Sequence, residues 1–204
     1  MRQLTYRSRG FSLAELAIVL TIVAILAGGA ISMLRVQTER SAIVDTRNAL
    51  EEAKEALYAY AEVSVGLPCP DTTGDGISDA CSSANRRGQL PWRTLGLTNG
   101  DDGWHQSLRY LVSPNLVVGT LNNLAQDGDI SVMSDTALPV PTARAFAVWS
   151  IGPDGVDASA AYSVGDNRVA IGSTATPADD IVTWGSRFTL TGRMLQAGQP
   201  LLLN

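Results

Sequence analysis

The chain has few of the side chains that enzyme sites and metal centres usually need. Its 204 residues include one histidine and two cysteines, and no CxxC pair occurs. Because histidine and cysteine are the usual zinc ligands, a zinc site is not expected. The sequence also lacks a nucleophile–base pair and a glycine-rich phosphate loop. We therefore predict that the protein is not an enzyme.

Basic residues are also scarce, with 15 against 20 acidic residues and a net charge of −5. Nonspecific nucleic-acid binding depends mainly on Lys and Arg that neutralise phosphates. Nucleic acid is therefore not an expected partner. The one basic doublet, Arg86-Arg87, is predicted to lie at the surface.

Charge is almost absent from residues 11–34, FSLAELAIVLTIVAILAGGAISML, where Glu15 is the single charged side chain. As a helix this segment would span about 36 Å, enough to cross a hydrocarbon core of about 30 Å. An ionised carboxylate near the centre of such a span costs about 2.5–3.5 kcal/mol, and less near the interface. Glu15 therefore needs a partner. A basic leader precedes the segment, and no A-x-A-like cleavage site follows it.

The basic leader that ends in Gly10, followed by Phe11 and then Glu15 in an apolar run, resembles the N-terminus of type IV pilins and type II secretion pseudopilins. The resemblance covers about residues 7–35. It implies that a prepilin peptidase cleaves between Gly10 and Phe11 and N-methylates Phe11. It also implies that Glu15 pairs with the N-terminal amine of a neighbouring subunit and sets its register in a filament. The alternative is an uncleaved signal anchor.

The expected organisation follows from this resemblance and from the charges. It comprises a cleaved leader (1–10), the membrane and assembly half of a helix (11–34), its amphipathic half (35–66) and a head (67–204). Arginines in the leader keep that end cytoplasmic, which places the head in the periplasm. Loss of three of the 15 basic residues leaves 12 against 20 acidic residues, a mature net charge of −8. Other pilin or pseudopilin subunits, the peptidase and the inner membrane before assembly are the expected partners, and a periplasmic or cell-surface filament is the expected destination.

Helical spacing continues beyond the apolar run. Residues 35–65 contain neither proline nor glycine, and apolar residues recur at intervals of three, four or seven: Ile43, Leu50, Ala53, Leu57 and Ala61. Gly28-Gly29 is expected either to weaken the helix or to allow close packing between helices. Major pilins usually carry a proline in this helix, so its absence here favours a minor or accessory subunit.

Turn residues dominate after Gly66, and short strands are predicted at Ala145–Ile151, Arg168–Ile171 and Arg187–Leu190. The predicted fold class is α+β and pilin-like. In it, a long N-terminal helix packs against a C-terminal antiparallel sheet in a globular head.

Cys69 and Cys81 bracket eleven residues and would form a disulfide in an oxidising periplasm, worth about 3 kcal/mol. Within this loop, Asp71, Asp75 and Asp79 alternate with other oxygen side chains, and glycine stands at position 6. The pattern resembles the start of an EF-hand-type calcium loop. Its bidentate glutamate is missing, so a turn closed by the disulfide is the alternative.

A second acidic region resembles the end of the major pseudopilin of type II secretion, where a W-S-x-G-x-D-G turn and a later D-I-x-x-W stretch form a calcium site. The resemblance implies calcium ligation by Asp154 and Asp180, with Asp157 and Asp179 as auxiliaries. Converging carboxylates repel one another, and a divalent cation removes that repulsion. The alternative is a pair of solvated acidic turns.

The remaining conspicuous side chains are predicted to be structural. Trp92 and Trp104 lie among leucines and glycines and are expected to pack in the core. His105 is expected in an exposed loop. Two functions stay open at this point: a structural filament subunit, and a binding module at a pilus tip that serves adhesion or DNA uptake.

Overall fold

The structure is a computed structural model that describes residues 12–80, 86–117, 130–133, 144–161, 168–170 and 179–199. Its helices are α1 (Leu13–Ser64) and α2 (Arg187–Gln196), with short 3-10 helices at Pro114–Leu116 and Ala158–Ala161. Its strands are β1 (Arg87–Gln89), β2 (Arg109–Val112), β3 (Ser131–Met133), β4 (Arg144–Ser150), β5 (Arg168–Ala170) and β6 (Ile181–Ser186). The chain divides into two units, residues 1–41 and 42–204.

In the first unit, the described residues form the N-terminal part of α1. The helix continues without a break through Gly28-Gly29, so local weakening there stays a prediction. Among the residues that the structure describes, no helix combines the length and apolarity that crossing a membrane requires. The predicted membrane half, residues 11–34, contains Phe11 and side chains at 27 and 29–34 that are not described, and it stays a prediction.

In the second unit, four strands form an antiparallel sheet in the order β1-β2-β4-β6. The predicted α+β class with a C-terminal antiparallel sheet is therefore confirmed. Strand β4 lies at the centre of the register, pairing Phe146 with Val112 on one side and with Gly185 on the other. A parallel pair, β3 and β5, forms a second small sheet that the sequence did not predict.

Helix α1 packs one face against the four-stranded sheet, as its spacing predicted. Leu50, Ala53, Leu57 and Ala61 are buried. They share a core with β2, β4 and α2, in which the rings of Tyr58 and Phe146 meet edge to face at 5.3 Å. The opposite face of the sheet carries a second core that β3 and β5 help to cover, built from Leu111, Ile130, Ala147, Trp149, Ile151 and Val169. The sheet thus lies between a helical layer and a small strand layer.

One predicted strand is wrong. Arg187–Leu190 forms the first turn of α2, because the Ser186 hydroxyl accepts a hydrogen bond from the Phe188 N–H at 3.2 Å and caps a helix. Leu190 and Met194, four residues apart, then face the core together. The strand lies one segment earlier, in β6. The other two predicted strands correspond to β4 and β5, apart from residue 171, which lies outside the described residues.

Candidate functional site

The first candidate site is the start of α1, where Glu15 lies in the first helical turn. The Ser12 hydroxyl accepts a hydrogen bond from the Glu15 N–H at 3.2 Å, and the Ser12 carbonyl accepts one from the Leu16 N–H. Serine followed three residues later by glutamate is the capping-box sequence, which stabilises a helix start. A carboxylate there also interacts favourably with the helix dipole. Glu15 is exposed, so its carboxylate is accessible to another molecule.

Apolar side chains surround α1 near this site on every face. Nine large ones are each more than half exposed: Leu13, Leu16, Ile18, Val19, Leu20, Ile22, Val23, Ile25 and Leu26. A helix that is apolar all round is normally buried in a larger core or in lipid. The described part of the chain leaves these nine side chains exposed, and apolar surroundings would stabilise them.

Three predicted residues, Gly10, Phe11 and Cys81, lie outside the described residues. Cys69 is disulfide-bonded, and no cysteine in the described part of the chain is free. Cleavage after Gly10, methylation of Phe11 and the pairing of Cys69 with Cys81 stay predictions.

The second candidate site is the acidic turn, Gly152–Asp157, together with the residues that lead into β6. Gly152 and Gly155 have positive φ angles of 69° and 68°, a conformation natural to glycine, and they reverse the chain after β4. The Asp154 carboxylate accepts a hydrogen bond from the Val156 N–H at 2.8 Å. A Cβ added to Gly152 would lie 3.0 Å from the carbonyl oxygen of Asp179, so the turn touches the start of β6.

Asp180 is the buried acid of this site. It is 6 % exposed, and neither carboxylate oxygen makes a hydrogen bond of normal geometry. Burial, and then the charges of Asp157 and Asp179, raise the pKa of Asp180 from 3.8 to about 7. The Ala158 backbone N–H opposes this rise in pKa, and Asp154 adds to it. The structure thus brings all four predicted aspartates close enough to interact.

The four aspartates do not form a finished ligand cage. Asp157 Oδ1 already accepts hydrogen bonds from Trp149 Nε1–H at 3.1 Å and from the Ser159 N–H at 2.9 Å. Within the described ranges, no group of three or more His, Cys, Asp or Glu side chains is placed to hold a metal ion. Asp180 is the least satisfied member of the site, since a buried carboxylate that makes no hydrogen bond of normal geometry is costly.

Asp180 should make the calcium-free protein sensitive to pH. Because its pKa rises on folding from 3.8 to about 7, the folded protein keeps a proton that the unfolded chain releases. The contribution of Asp180 to stability is therefore full below a pH of 3.8 and is lost as the pH rises through about 7. We expect the unfolding temperature in chelator to fall between about pH 5 and about pH 8, and to fall less in Asp180→Asn.

Glu52→Gln, at an exposed carboxylate of α1, is the matched control and should follow the wild type. Circular dichroism of the full chain in detergent micelles would record the transitions. An identical pH dependence in Asp180→Asn and the wild type would contradict the burial of this carboxylate.

Asp102, a buried acid for which the sequence predicted no function, lies beside the acidic turn. Its Oδ1 accepts hydrogen bonds from the N–H groups of Trp104 and Gln106 at 2.9 and 2.8 Å. Its Oδ2 accepts one from the Ser150 hydroxyl at 2.5 Å, and Ser150 Oγ accepts one from the Gly152 N–H at 3.1 Å. Asp102 and Ser150 are 48 residues apart, so no local pattern marks their contact.

The loop after Cys69 turns its first aspartate inward. Asp71 is buried, and its oxygens accept hydrogen bonds from the N–H groups of Thr73, Gly74 and Gly76 at 2.9, 2.6 and 2.7 Å. This carboxylate therefore serves the backbone of its own loop.

The other two aspartates of this loop do the same. Asp79 Oδ2 accepts hydrogen bonds from the hydroxyl and the N–H of Thr72 at 2.6 and 2.7 Å, and these bonds lower the pKa of Asp79. Asp75 Oδ1 accepts one from the Ile77 N–H at 2.9 Å. The geometry favours the alternative of a closed turn, and calcium binding in this loop stays a prediction.

Trp92 packs against the core, as predicted. A Cβ added to Gly76 or Gly100 would lie 2.5 Å from its indole ring, so two backbone segments enclose the ring. Trp104 is only partly buried, and His105 is exposed with a φ of 63°, in line with its predicted loop position.

The predicted surface position of the arginine doublet is wrong for Arg86, and Arg87 is half-buried. Arg86 is buried. The Arg87 guanidinium donates to the carbonyl oxygens of Ser159, at 2.5 Å, and of Arg168, and it lies 5.5 Å from the Trp149 ring centroid. Arg87 therefore fastens the 3-10 helix after the acidic turn, together with β5, to the sheet.

Comparison with known proteins identifies the N-terminal segment. A family model described as the prokaryotic N-terminal methylation motif matches residues 5–31. This motif is the prepilin-type signal of type IV pilins and pseudopilins, so the predicted resemblance is confirmed for those residues. The motif implies processing by a prepilin peptidase and assembly with other pilin subunits. Searches of curated proteins and of solved structures found no match.

Proposed function

We propose, starting from the prepilin-type signal in residues 5–31, that this protein is a minor pilin or pseudopilin that assembles through α1 into a type IV pilus or a type II secretion pseudopilus. The observation that carries the proposal is the agreement between the matched motif and the start of the helix. Ser12, which would be the second residue after cleavage, caps α1, and Glu15 lies in the first turn of this helix.

The proposed assembly step is an ion pair. Cleavage after Gly10 exposes an ammonium group at Phe11. The Glu15 carboxylate of one subunit forms an ion pair with this ammonium group of its neighbour. The exposed apolar side chains of residues 13–26 support this step, because packing between subunits would bury them. In such apolar surroundings an unpaired carboxylate is costly, which favours the register that pairs every Glu15.

The minor role rests on the helix itself. Helix α1 runs for 52 residues without a proline, the residue that most often kinks a helix. Major pilins usually carry one at mid-helix. We therefore assign the protein to the accessory subunits, with its head on the periplasmic side of the inner membrane, where a disulfide between Cys69 and Cys81 would be retained.

We also propose that the acidic turn takes a calcium ion. Asp154 and Asp180 would hold it, with Asp157 and Asp179 as auxiliaries. The support is Asp180, a buried carboxylate whose oxygens make no hydrogen bond of normal geometry and which lies beside three like charges. Calcium accepts carboxylate and backbone oxygens in flexible geometry, and its charge would offset the repulsion among the acids.

Mass spectrometry of the N-terminus tests the proposed processing. The protein isolated from a host with a prepilin peptidase should give an N-terminal peptide that begins with Phe11 and is heavier by one methyl group. The same chain made without the peptidase should keep Met1 to Gly10. An intact leader in the presence of the peptidase would refute the proposal.

Thermal unfolding tests the proposed calcium site. Calcium at about 100 times its dissociation constant should stabilise the wild type by about 2.7 kcal/mol. That is a rise of roughly 5–10 °C for a chain of this size. Asp180→Asn should lose most of this rise, and Glu52→Gln, at an exposed carboxylate of α1, should keep it. Equal calcium shifts in Asp180→Asn and the wild type would refute the site.

A further inference from the structure

We infer that Asp102 is a positioning residue for the acidic turn. Acting through Ser150, it orients Gly152 and the residues that follow it for the proposed calcium ion, and it connects that turn to helix α1. The inference rests on the proposed calcium site and adds to it a supporting shell that resembles no local sequence motif.

The first step of the connection runs from the turn to Asp102. The Gly152 N–H donates to Ser150 Oγ at 3.1 Å, and the Ser150 hydroxyl donates to Asp102 Oδ2 at 2.5 Å. All the polar atoms of this step belong to buried residues, since Ser150, Gly152 and Asp102 are each buried. Removing the Ser150 hydroxyl would leave a donor and an acceptor without partners, so the structure strongly favours this one arrangement.

The second step is the loop that carries Asp102. Two backbone N–H groups, of Trp104 and Gln106, donate to Asp102 Oδ1, and the Asp102 N–H donates to the Gln106 carbonyl at 2.9 Å. The carboxylate therefore closes its own loop while its second oxygen is bound to Ser150. A displacement of Ser150 would therefore act on a loop that these three hydrogen bonds hold together.

The third step joins this loop to α1. The Gly103 N–H donates to Thr46 Oγ1 at 3.0 Å, and the Thr46 hydroxyl donates to the Ala42 carbonyl at 2.8 Å. A Cβ added to Gly103 would lie 2.7 Å from the Ala42 Cα, so the loop backbone rests directly on the helix. One unbroken series of hydrogen bonds and backbone segments thus runs from Gly152 to Ala42.

The Gly152 end of this series lies beside the aspartates of the acidic turn. Gly152 contacts Asp179 so closely that an added Cβ would lie 3.1 Å from its carboxylate oxygen. Gly155, at the other end of the reversal, lies against the Gln106 side chain, at 3.6 Å from an added Cβ. The turn is therefore held from Ser150 and from the Asp102 loop. The Asp180 oxygens make no hydrogen bond of normal geometry, and the charges of the other three aspartates act on them.

Calcium titration of four full-length proteins in detergent micelles tests the inference: the wild type, Ser150→Ala, Asp102→Asn and the double variant. Residues that orient metal ligands typically contribute 10- to 100-fold in affinity, so we expect each single variant to bind calcium at least about tenfold more weakly. Because Asp102 acts through Ser150, the double variant should be no weaker than the weaker single variant. If the two substitutions instead caused independent packing defects, the fold losses of calcium affinity of the single variants would multiply in the double variant.

Hydrogen exchange supplies a second readout, at helix α1. Calcium should slow amide exchange near Thr46 in the wild type, and this slowing should disappear in Ser150→Ala and in Thr46→Val. Thr191→Val is the matched control, since the Thr191 hydroxyl donates to the Arg187 carbonyl at 2.7 Å in the same way on α2. It should leave calcium binding and the slowing near Thr46 unchanged.

The outcomes separate this inference from the site on which it rests. A wild type that binds no calcium would refute the proposed site, and the inference with it. A wild type that binds calcium, with unchanged affinity in Ser150→Ala or multiplied effects in the double variant, would refute the inference alone. Ser150→Ala removes one hydroxyl, so the test stands even where Asp102→Asn fails to fold.

Discussion

Gly103→Ala should destabilise the head strongly. The added Cβ would lie 2.7 Å from the Ala42 Cα and 2.8 Å from its carbonyl carbon, and closer still to its carbonyl oxygen. These are backbone atoms of α1, which cannot rotate away as a side chain can. We expect a loss of at least about 2 kcal/mol, because overpacking forces backbone shifts. The unfolding temperature of the full chain in detergent micelles should fall by roughly 4–8 °C.

Gly192→Ala provides the matched control for this substitution. Gly192 lies in α2, and nothing stands within 4 Å of an added Cβ. Alanine is favoured over glycine inside a helix by about 0.5–1 kcal/mol, so this variant should be slightly more stable than the wild type. A Gly103→Ala protein that unfolds at the wild-type temperature would mean that the loop does not rest on α1.

The sequence predicted α1 and β4 because the apolar residues within each element indicate that it is buried. Helix α1 repeats apolar residues at helical spacing, and β4 is buried at six of its seven positions. Periodicity did not predict the boundary between β6 and α2. A short run such as Arg187–Leu190 fits either period, and the deciding contact is the Ser186 cap, a single side chain. Strand β6 was not predicted because its first residues, Ile181 to Trp184, were interpreted only as part of the D-I-x-x-W stretch.

The residues of the candidate site also fall into two groups, those that the sequence predicted and those that it did not. Glu15 and the four aspartates could be named from spacing and resemblance. Asp102 could not, since its partner Ser150 lies at the end of β4 and is 48 residues distant. The contacts of Arg87 were missed for a related reason: its guanidinium donates to the carbonyl oxygens of Ser159 and Arg168, which are distant in the sequence. Residues whose role depends on such pairings carry no local signal.

Glu15→Gln should abolish incorporation of the processed protein into filaments. Glutamine keeps the size of the side chain, and it serves at the third position of a capping box as glutamate does, so the start of α1 is preserved. What it loses is the charge that would pair with the amine at Phe11 of the neighbour. Breaking a buried ion pair by removing one partner costs about 3–5 kcal/mol. That corresponds to a loss of roughly 10²- to 10³-fold or more in subunit association.

The measurement is the fraction of processed protein that sediments with sheared filaments instead of remaining with membranes. Glu39→Gln, which removes an exposed carboxylate from the same helix, is the matched control and should assemble normally. Ser12→Ala separates charge from capping, because it removes the hydroxyl that accepts the Glu15 N–H while leaving the carboxylate. If Glu15→Gln assembles as well as Glu39→Gln, the register does not depend on this charge. If Ser12→Ala fails as completely as Glu15→Gln, the start of the helix, and not the ion pair, controls assembly.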